Sequence, residues 1–316
     1  MKLVFCGTPR FAVPTLQALL AAGHAIPLVV TQPDRPVGRK HEVEAPPVKQ
    51  VALAAGLPAT QPEKIRNNAE FRAQLEAIAP DAIVVVAYGR IIPPWMLALP
   101  RLGCINLHGS LLPKYRGAAP IQWAVAMGET VTGNTTMLLE EGLDTGPILL
   151  QQEVTIGAEQ TAVDLFEVLA TRGATLVVET LAGLAAGGLQ PKPQDHAQAS
   201  LAPILTRDDG RMDFAAHTAT ELKNRWRGFQ PWPGAFTALD GKKLIVHRME
   251  VTEQAGLPLP EGTEPSQLFV DRQRVMVRCA RASWLELLEL QLEGKKRMTA
   301  SEFLRGTHLV SGMRLG

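Results

Sequence analysis

The first 190 residues alternate short apolar runs with longer stretches of helical periodicity. Apolar runs at residues 3–6 and 26–31 are each followed by a helical pattern, at residues 13–22 and 48–55. The run Ala-Ile-Val-Val-Val-Ala at 82–87 is uninterrupted and rich in β-branched residues, which is typical of a strand covered by helices on both faces. This alternation is the pattern of consecutive βαβ units, so a mostly parallel sheet is predicted.

The same alternation continues to about residue 190. Further strands are predicted at residues 103–107 and 135–139, and a long helix at 162–185. Residues 1–189 are therefore predicted to form an α/β domain with a doubly wound, mostly parallel, Rossmann-like sheet. Residues 190–206 are polar, punctuated by proline and without periodicity, and we interpret them as an extended linker.

The pattern changes after this segment. A helical stretch near residues 216–226 is followed by short β-like runs at 236–239, 243–251, 275–280 and 284–291, with turn signals such as Asp-Gly at 240–241 between them. Strands without intervening helices cannot make parallel crossovers, so they must pair as antiparallel neighbours. Residues 207–316 are therefore predicted to form a small, OB-like β-barrel domain.

Length and composition exclude several classes of protein. The 316 residues are 46% apolar and 20% charged, with a formal net charge of +1, which is ordinary for a globular protein of about two domains. Cys6, Cys104 and Cys279 are widely spaced, so neither a disulfide framework nor a metal site is predicted. No apolar stretch reaches about 18 uninterrupted residues. We therefore expect a cytoplasmic monomer with no membrane partner.

Two polar side chains stand two positions apart where a predicted strand runs into a loop rich in glycine and proline. Asn106 and His108 fall within residues 103–120. Alternation along a strand would place both on one face, at the carboxyl end where open α/β sheets bind ligands. An amide that donates to an oxyanion, beside an imidazole that moves protons, suits acyl transfer. The pair alone also fits a turn asparagine and a histidine bonded to the backbone.

Asp144 lies in a second loop, Glu-Gly-Leu-Asp-Thr-Gly-Pro at residues 141–147. An aspartate before Thr-Gly-Pro is by itself typical of a turn. A carboxylate near His108 could instead fix the tautomer of the imidazole and order a water that relays protons. Asp144 is therefore the third candidate for the site.

Several motifs resemble a known family. Residues 106–121, Asn-Leu-His-Gly-Ser-Leu-Leu-Pro-Lys-Tyr-Arg-Gly-Ala-Ala-Pro-Ile, resemble the signature of the formyltransferases that use 10-formyltetrahydrofolate, and Asp-Thr-Gly-Pro-Ile at 144–148 resembles their second motif. Three more segments resemble the members that formylate methionyl-tRNA: Phe-Cys-Gly-Thr-Pro-Arg-Phe-Ala at 5–12, Thr-Gln-Pro-Asp-Arg-Pro at 31–36 and Gln-Pro-Trp-Pro-Gly-Ala-Phe at 230–236. The resemblance covers nearly the whole chain.

The resemblance implies a reaction. It is the transfer of the formyl group of 10-formyltetrahydrofolate to the free α-amino group of methionyl initiator tRNA, which gives formylmethionyl-tRNA for translation initiation. It also implies that Asn106, His108 and Asp144 are catalytic and that no metal takes part. The implied folate contacts are Ser110, Leu111, Leu112 and Pro113, with the backbone of Ala87, Tyr88 and Gly89 receiving the pterin ring.

The resemblance places RNA recognition in two regions. A loop after the second strand would meet the acceptor arm of the tRNA through Arg35, Arg39 and Lys40, whose charges can neutralise phosphates. The sequence departs from the family there, because Glu42 and Glu44 stand where a basic run is usual. The C-terminal domain is the second region. Within it, Trp232 between two prolines is interpreted as a packed structural corner.

Three alternatives follow from the same residues. A formyltransferase for another amine, such as a nucleotide-linked amino sugar or glycinamide ribonucleotide, would keep the same catalytic residues. A dinucleotide-binding oxidoreductase would share the doubly wound sheet, but Gly-Thr-Pro-Arg-Phe-Ala after the first strand lacks the Gly-x-Gly-x-x-Gly fingerprint. A catalytically silent RNA-binding protein would have no use for Asn106, His108 and Asp144.

Overall fold

The computed structural model describes residues 1–37, 42–252 and 262–316. These residues form two compact units. The first comprises Met1–Ile121, Val131–Ile156 and Asp164–Pro203, and the second comprises Gln122–Thr130, Gly157–Val163 and Ile204–Gly316. The second unit thus takes up two short segments that lie, in sequence, between segments of the first unit. The domain limits given above, 189 and 207, stay a prediction.

A seven-stranded sheet forms the centre of the first unit. Its strands lie in the order β5-β2-β1-β6-β7-β8-β9; the pairs up to β7 are parallel, and β8 and β9 are antiparallel. This confirms the mostly parallel α/β fold predicted from the sequence. In chain order the strands are β1 Lys2–Gly7, β2 Ala25–Val30, β3 Arg35–Val37, β4 Glu42–Glu44, β5 Ala59–Thr60, β6 Ala82–Val86, β7 Cys104–His108, β8 Val131–Leu138 and β9 Ile148–Thr155.

Helices connect these strands. They are α1 Val13–Ala21, α2 Pro47–Ala54, α3 Ala69–Ile78, α4 Pro94–Leu97, α5 Pro120–Ala126 and α6 Ala162–Ala185. Proline in the first turn of α1, α2 and α4 removes an amide that would have no partner within the helix. The side chain of Asn68 caps α3 by accepting from the Phe71 amide. All five residues of β6 are buried, as its uninterrupted apolar sequence predicts.

α6 is the one helix among the described residues that is long and apolar enough, by length and composition, to cross a membrane. In the structure it packs against the sheet. Leu165, Leu169 and Leu181 are fully buried, and the Thr180 hydroxyl lies 2.8 Å from the Thr136 hydroxyl on β8. A core helix of this kind passes the same test of length and composition as a membrane span.

The segment after β2 forms a hairpin where the sequence predicts a loop. β3 and β4 pair as antiparallel strands, with Arg35 opposite Glu44. Opposite charges at paired positions favour such a ladder. The predicted tRNA contacts Arg39 and Lys40 lie outside the described residues.

The second unit contains an antiparallel sheet of six strands in the order β10-β11-β14-β13-β12, with β15 paired to β14. Its topology agrees with the small β-barrel domain predicted from the sequence. The strands are β10 Phe236–Leu239, β11 Lys242–Thr252, β12 Leu268–Asp271, β13 Arg274–Arg278, β14 Trp284–Leu292 and β15 Met298–Thr299, and the helices are α7 Ala219–Gly228 and α8 Ala300–Gly306. Trp284 and Phe303 are fully buried within it. Capping boxes begin both helices, with Thr218 and Glu221 at α7 and Thr299 and Glu302 at α8.

The segment predicted as a linker runs along the first unit. Lys192 pairs with Ile148 through two backbone hydrogen bonds, and Leu201 forms a bridge with Arg116. Gln194 and Ala202 are buried. Composition alone does not reveal these contacts, because a polar segment without periodicity can still satisfy the backbone groups of neighbouring loops.

Candidate active site

The carboxyl end of β7 presents two buried polar side chains on one face. Asn106 is 9% exposed and His108 is 6% exposed. Leu107, between them, faces the opposite side, where its methyl groups approach Gly173 of α6. The structure therefore brings Asn106 and His108 together on the face opposite α6, as strand alternation predicts.

The contacts of His108 define its tautomer. Its Nε2 lies 2.9 Å from the carbonyl oxygen of Tyr115, and its Nδ1 lies 3.7 Å from Oδ2 of Asp144. A carbonyl oxygen can only accept, so Nε2 carries the hydrogen and donates it to Tyr115. In the neutral ring, Nδ1 is then the atom with a free lone pair, and it faces a carboxylate.

Asp144 is itself held in a defined orientation. Its Oδ2 accepts from the backbone amide of Gly117 at 2.8 Å. Its φ of 49° lies in the left-handed region, which few residues other than glycine adopt readily. A Cβ at Gly117, whose φ is 125°, would lie 2.6 Å from the carbonyl oxygen of Ala202. The glycine is therefore required for the close approach that brings its amide to Asp144.

The predicted folate-binding residues 110–113 form a loop held by β8 and β9. The hydroxyl of Thr135 donates to the Ser110 carbonyl at 2.7 Å and accepts from the Leu112 amide at 3.1 Å. The side chain of Gln151 donates to the Leu112 carbonyl at 2.9 Å. Ser110 is fully buried, and its hydroxyl donates to the Lys114 carbonyl, so its side chain serves the loop itself. Leu111 and Pro113 are half-buried.

The second predicted folate segment follows β6. Ala87 and Gly89 are exposed and have positive φ values of 45° and 78°, whereas the side chain of Tyr88 points inward and is 2% exposed. Burial raises the pKa of Tyr88 well above its usual value, so the phenol stays neutral. The turn therefore exposes Ala87 and Gly89, and the pterin contact that the resemblance implies there stays a prediction.

The polar residues after β2 anchor this turn. Gln32 donates through Nε2 to the Tyr88 carbonyl at 3.0 Å and accepts through Oε1 from Arg90 at 3.1 Å. Gln61 donates to the backbone of Gln32 and to Asp34. Hydrogen bonds from Lys49 and then from Gln61 lower the pKa of Asp34, which keeps this carboxyl ionised. Residues 31–34 thus support the turn after β6.

A cleft of about 450 Å³ adjoins this turn. The sequence does not single out its lining residues, although a run of Arg, Ile, Ile and Pro directly after the central strand is the kind of signal that could find them. Ile91 is 87% exposed and contributes an apolar side chain to the lining of this cleft. The lining residues are Lys64, Ile65, Arg66, Asn67, Arg90, Ile91, Ile92, Pro93, Pro94 and Glu141.

The structure corrects the interpretation of Trp232. The residue is 56% exposed and so is not a packed corner. The peptide bonds before Pro231 and Pro233 are both cis, and the Gly234 amide donates to the Phe229 carbonyl. The prolines and the glycine thus form the turn, and the indole is left at its surface. Among the described residues, no group of three or more His, Cys, Asp or Glu side chains could hold a metal ion.

Two known family models together match most of the chain. Residues 1–181 match the family model for formyl transferase, and residues 204–308 match the model for formyl transferase, C-terminal domain. The doubly wound sheet, with Asn106 and His108 at the end of β7, lies within the first match. The fold and the site therefore define a formyl transferase.

Similar proteins identify the family within this class. The chain is 66% identical over 316 residues to a methionyl-tRNA formyltransferase of Acidobacterium capsulatum, with 100% of both chains covered. It is 56% identical to that of Koribacter versatilis, with 100% of this chain and 99% of the relative covered. The chain belongs to the methionyl-tRNA formyltransferase family. A solved N-formyltransferase from Helicobacter canadensis, 18% identical, shares the fold with a TM-score of 0.64 and coverage of 91% and 98%.

Proposed function

We propose that this chain transfers the formyl group of 10-formyltetrahydrofolate to the α-amino group of methionyl initiator tRNA, and that Asn106, His108 and Asp144 carry the chemistry. The product is formylmethionyl-tRNA, the substrate of translation initiation. The observation that supports the residue roles best is the placement of Asp144 Oδ2 at 3.7 Å from His108 Nδ1, beside a buried amide on the same strand face.

Each residue has a distinct role in the proposed reaction. The neutral α-amine attacks the formyl carbon, and the Asn106 amide donates to the oxygen that becomes negative. His108 accepts the amine proton at Nδ1, directly or through a water, because its Nε2 already donates to the Tyr115 carbonyl. Asp144 stabilises the resulting imidazolium. His108 then delivers the proton to the folate nitrogen as the bond between that nitrogen and the formyl carbon breaks.

The residues beside the site fit a folate. A flat heteroaromatic ring with donor and acceptor edges suits the exposed backbone at Ala87 and Gly89. Lys64, Arg66 and Arg90 bring positive charge to the adjoining cleft, and Ile91 brings an exposed apolar surface. This combination suits a ligand with an aromatic body and carboxylates. When bound, the folate supplies the formyl group.

RNA binding is proposed for the second unit and for the hairpin β3–β4. Lys242 is exposed at the start of β11, and Lys295 and Lys296 are exposed between β14 and β15, where they can neutralise phosphates. Arg35 is exposed on β3. Residues 1–189 are proposed as the catalytic domain and 207–316 as the tRNA-binding domain. The enzyme is proposed to be a cytoplasmic monomer without a membrane partner.

The alternative acceptor, a nucleotide-linked amino sugar, has less support. The N-formyltransferase from Helicobacter canadensis, whose structure contains folinic acid and dTDP-3-aminofucose, is 18% identical to this chain, whereas the methionyl-tRNA formyltransferase of Acidobacterium capsulatum is 66% identical over its full length. Chemistry alone does not separate the two, because any neutral primary amine can attack the formyl carbon in the same site. The choice of acceptor depends on surfaces outside Asn106, His108 and Asp144.

The decisive experiment compares acceptors. The purified full-length chain is incubated with 10-formyltetrahydrofolate and one of three amines: methionyl initiator tRNA, methionyl elongator tRNA, or a nucleotide-linked amino sugar. Mass spectrometry of the released product measures formylation. We expect formylmethionine from the initiator tRNA and far less from the elongator. Formylation of the sugar alone would support the alternative, and no formylated product at all would overturn the proposed function.

A further inference from the structure

One buried glutamine joins the two loops on either side of His108. Gln194 follows α6, in the segment that the sequence predicts as a linker, and is 6% exposed. Its Nε2 donates to the carbonyl oxygen of Asp144 at 2.8 Å and to that of Gly146 at 2.7 Å. These carbonyls flank Thr145, so a single amide group fixes the turn that carries Asp144.

The other end of the same amide holds an arginine. Oε1 of Gln194 accepts from Arg116 through Nε at 3.1 Å and through Nη2 at 2.6 Å. Arg116 is 7% exposed and belongs to the loop after β7. A guanidinium can only donate and a backbone carbonyl can only accept, so only one orientation of the Gln194 amide satisfies both sides. Bonds from a charged donor are also stronger than neutral ones.

Three consecutive residues of this loop contact the site in three different ways. The Tyr115 carbonyl accepts from His108, the Arg116 side chain binds Gln194, and the Gly117 amide donates to Asp144. The backbone of Arg116 is in turn paired with the linker segment, where its amide donates to the Ser200 carbonyl at 2.8 Å. Movement of Arg116 would therefore disturb both His108 and Asp144.

The conformation of Asp144 explains why such a bridge is needed. Its backbone lies in the left-handed region, which costs free energy for a residue with a Cβ, although aspartate tolerates it better than most. Gln194 bonds to the carbonyl of Asp144 itself and to the carbonyl two residues later. Without those bonds, the turn could relax and the carboxylate could leave its place 3.7 Å from His108 Nδ1.

We propose that Gln194, held by Arg116, is a positioning residue that keeps the Asp144 carboxylate beside His108. It acts through Asp144 and does not touch the reacting atoms. The inference rests on the proposed function, because its effect is defined on the formyl-transfer step. It also gives the segment 190–206 a role in catalysis: this segment carries the glutamine that assembles the site.

The test replaces the donor end of the bridge. In Gln194→Glu, a carboxylate would face the carbonyls of Asp144 and Gly146 and could no longer donate to them, while the pairing with Arg116 would remain. We expect kcat for methionyl initiator tRNA to fall by roughly tenfold to a hundredfold, as is typical when a catalytic group is misplaced by about 1 Å. KM for the folate and the binding of folinic acid, measured by calorimetry, should stay within about threefold, since residues 110–113 do not depend on Gln194.

The matched control is Gln198→Ala. Gln198 lies four residues away on the same segment, is exposed and bonds to the side chain of Asp195. It should keep the kcat of the wild type. Gln194→Met removes both hydrogen-bonding ends at similar size, and Arg116→Lys keeps the charge but loses the two-pronged contact; each should lower kcat as well. Folinic acid binding gives the folded fraction to which each kcat is normalised.

A double-mutant cycle separates positioning from a purely structural role. If Gln194 acts only through Asp144, Gln194→Glu should change kcat by no more than about twofold when Asp144 is already Asn. Additive losses in this cycle, or a wild-type kcat in Gln194→Glu and Arg116→Lys, would overturn the inference while the wild-type enzyme stays active. A wild-type chain that formylates no methionyl-tRNA would overturn both the proposed function and this inference.

Discussion

Asn106 and Asn134 allow a direct comparison of two buried asparagines. Both are buried in the seven-stranded sheet, on the neighbouring strands β7 and β8, but they face opposite sides. Asn106 faces the site, whereas the Asn134 side chain donates to the Leu169 carbonyl of α6 at 2.9 Å. The same amide can therefore be tested in a catalytic and in a structural position.

We expect Asn106→Ala to lower kcat on the order of a hundredfold or more, because it removes the proposed donor to the oxyanion. Folinic acid binding should persist. Asn134→Ala should lower the unfolding temperature, since it leaves the Leu169 carbonyl without this donor, but should keep kcat per folded molecule. Formyl-transfer kinetics and thermal unfolding measure the two effects. Unchanged turnover in Asn106→Ala would refute its assigned role.

The sequence predicts the positions of some side chains in the fold better than those of others. The strand period brings Asn106 and His108 to one face with no further information. Trp232 and Trp284 illustrate the limit, because one is 56% exposed and the other fully buried. Whether each indole is buried depends on which strands and turns surround it in the fold. Gln194 and Arg116 were also beyond reach, since they meet across 78 residues through contacts that follow no local period.

Helices α7 and α8 both begin with a capping box. The Glu221 carboxylate accepts from the amide and hydroxyl of Thr218, and these bonds lower its pKa; Thr299 lowers the pKa of Glu302 in the same way. A carboxyl whose pKa is lower in the folded chain stabilises it at pH values above the unfolded pKa, about 4.3 for glutamate. This stabilisation is lost as the pH falls through the lower, folded pKa.

Glu221→Gln should therefore destabilise the protein at pH 6, and its difference from the wild type should shrink as the pH falls below about 4. Urea unfolding between pH 6 and pH 3.5 measures the free energy of unfolding for both proteins. Glu179→Gln, at an exposed position of α6, is the control. A constant difference for Glu221→Gln across this range would show that the capping charge contributes nothing.

The elements that the sequence predicted best are those with a clear apolar pattern of their own. β1 and β6 are apolar runs buried along almost their whole length, and α6 buries the face that carries Leu165, Leu169 and Leu181. The hairpin β3–β4 has no such pattern: its short strands carry charged residues and pair mainly through their own backbones. The contacts of residues 190–206 could not be predicted for a related reason, because they use backbone groups and one glutamine instead of an apolar face.

At the scale of the whole molecule, the sequence order hides how the second unit is built. Residues 122–130 pack with α7, which follows them in the sequence only after β8, β9 and α6. Trp123 meets Phe229 edge to face at 5.3 Å, and Arg225 lies over both rings. A domain boundary predicted from composition cannot show that residues 122–130 belong to the second unit, because their composition does not differ from that of the residues around them.

The closest approach in this packing occurs at Gly228, the last residue of α7. A Cβ there would lie 2.5 Å from the Gln122 carbonyl oxygen and 2.6 Å from the Ala126 amide nitrogen, both in α5 backbone. Gly228→Ala must therefore push two helices apart, and overpacking of this kind typically costs about 1–3 kcal/mol of unfolding free energy. Gly306, the last residue of α8, is the matched control because a Cβ there would meet nothing within 4 Å.

Gly306→Ala should be neutral or stabilise the protein by up to about 1 kcal/mol, since alanine restricts the unfolded chain. Urea unfolding of the two variants measures the difference. If Gly228→Ala proved as stable as Gly306→Ala, residues 122–130 could not be held tightly against α7. A large loss in Gly228→Ala alone would show that residues 122–130 are packed tightly against α7. Truncation after residue 203 would then remove the packing partner of residues 122–130, because these residues belong to the second unit and not to the first.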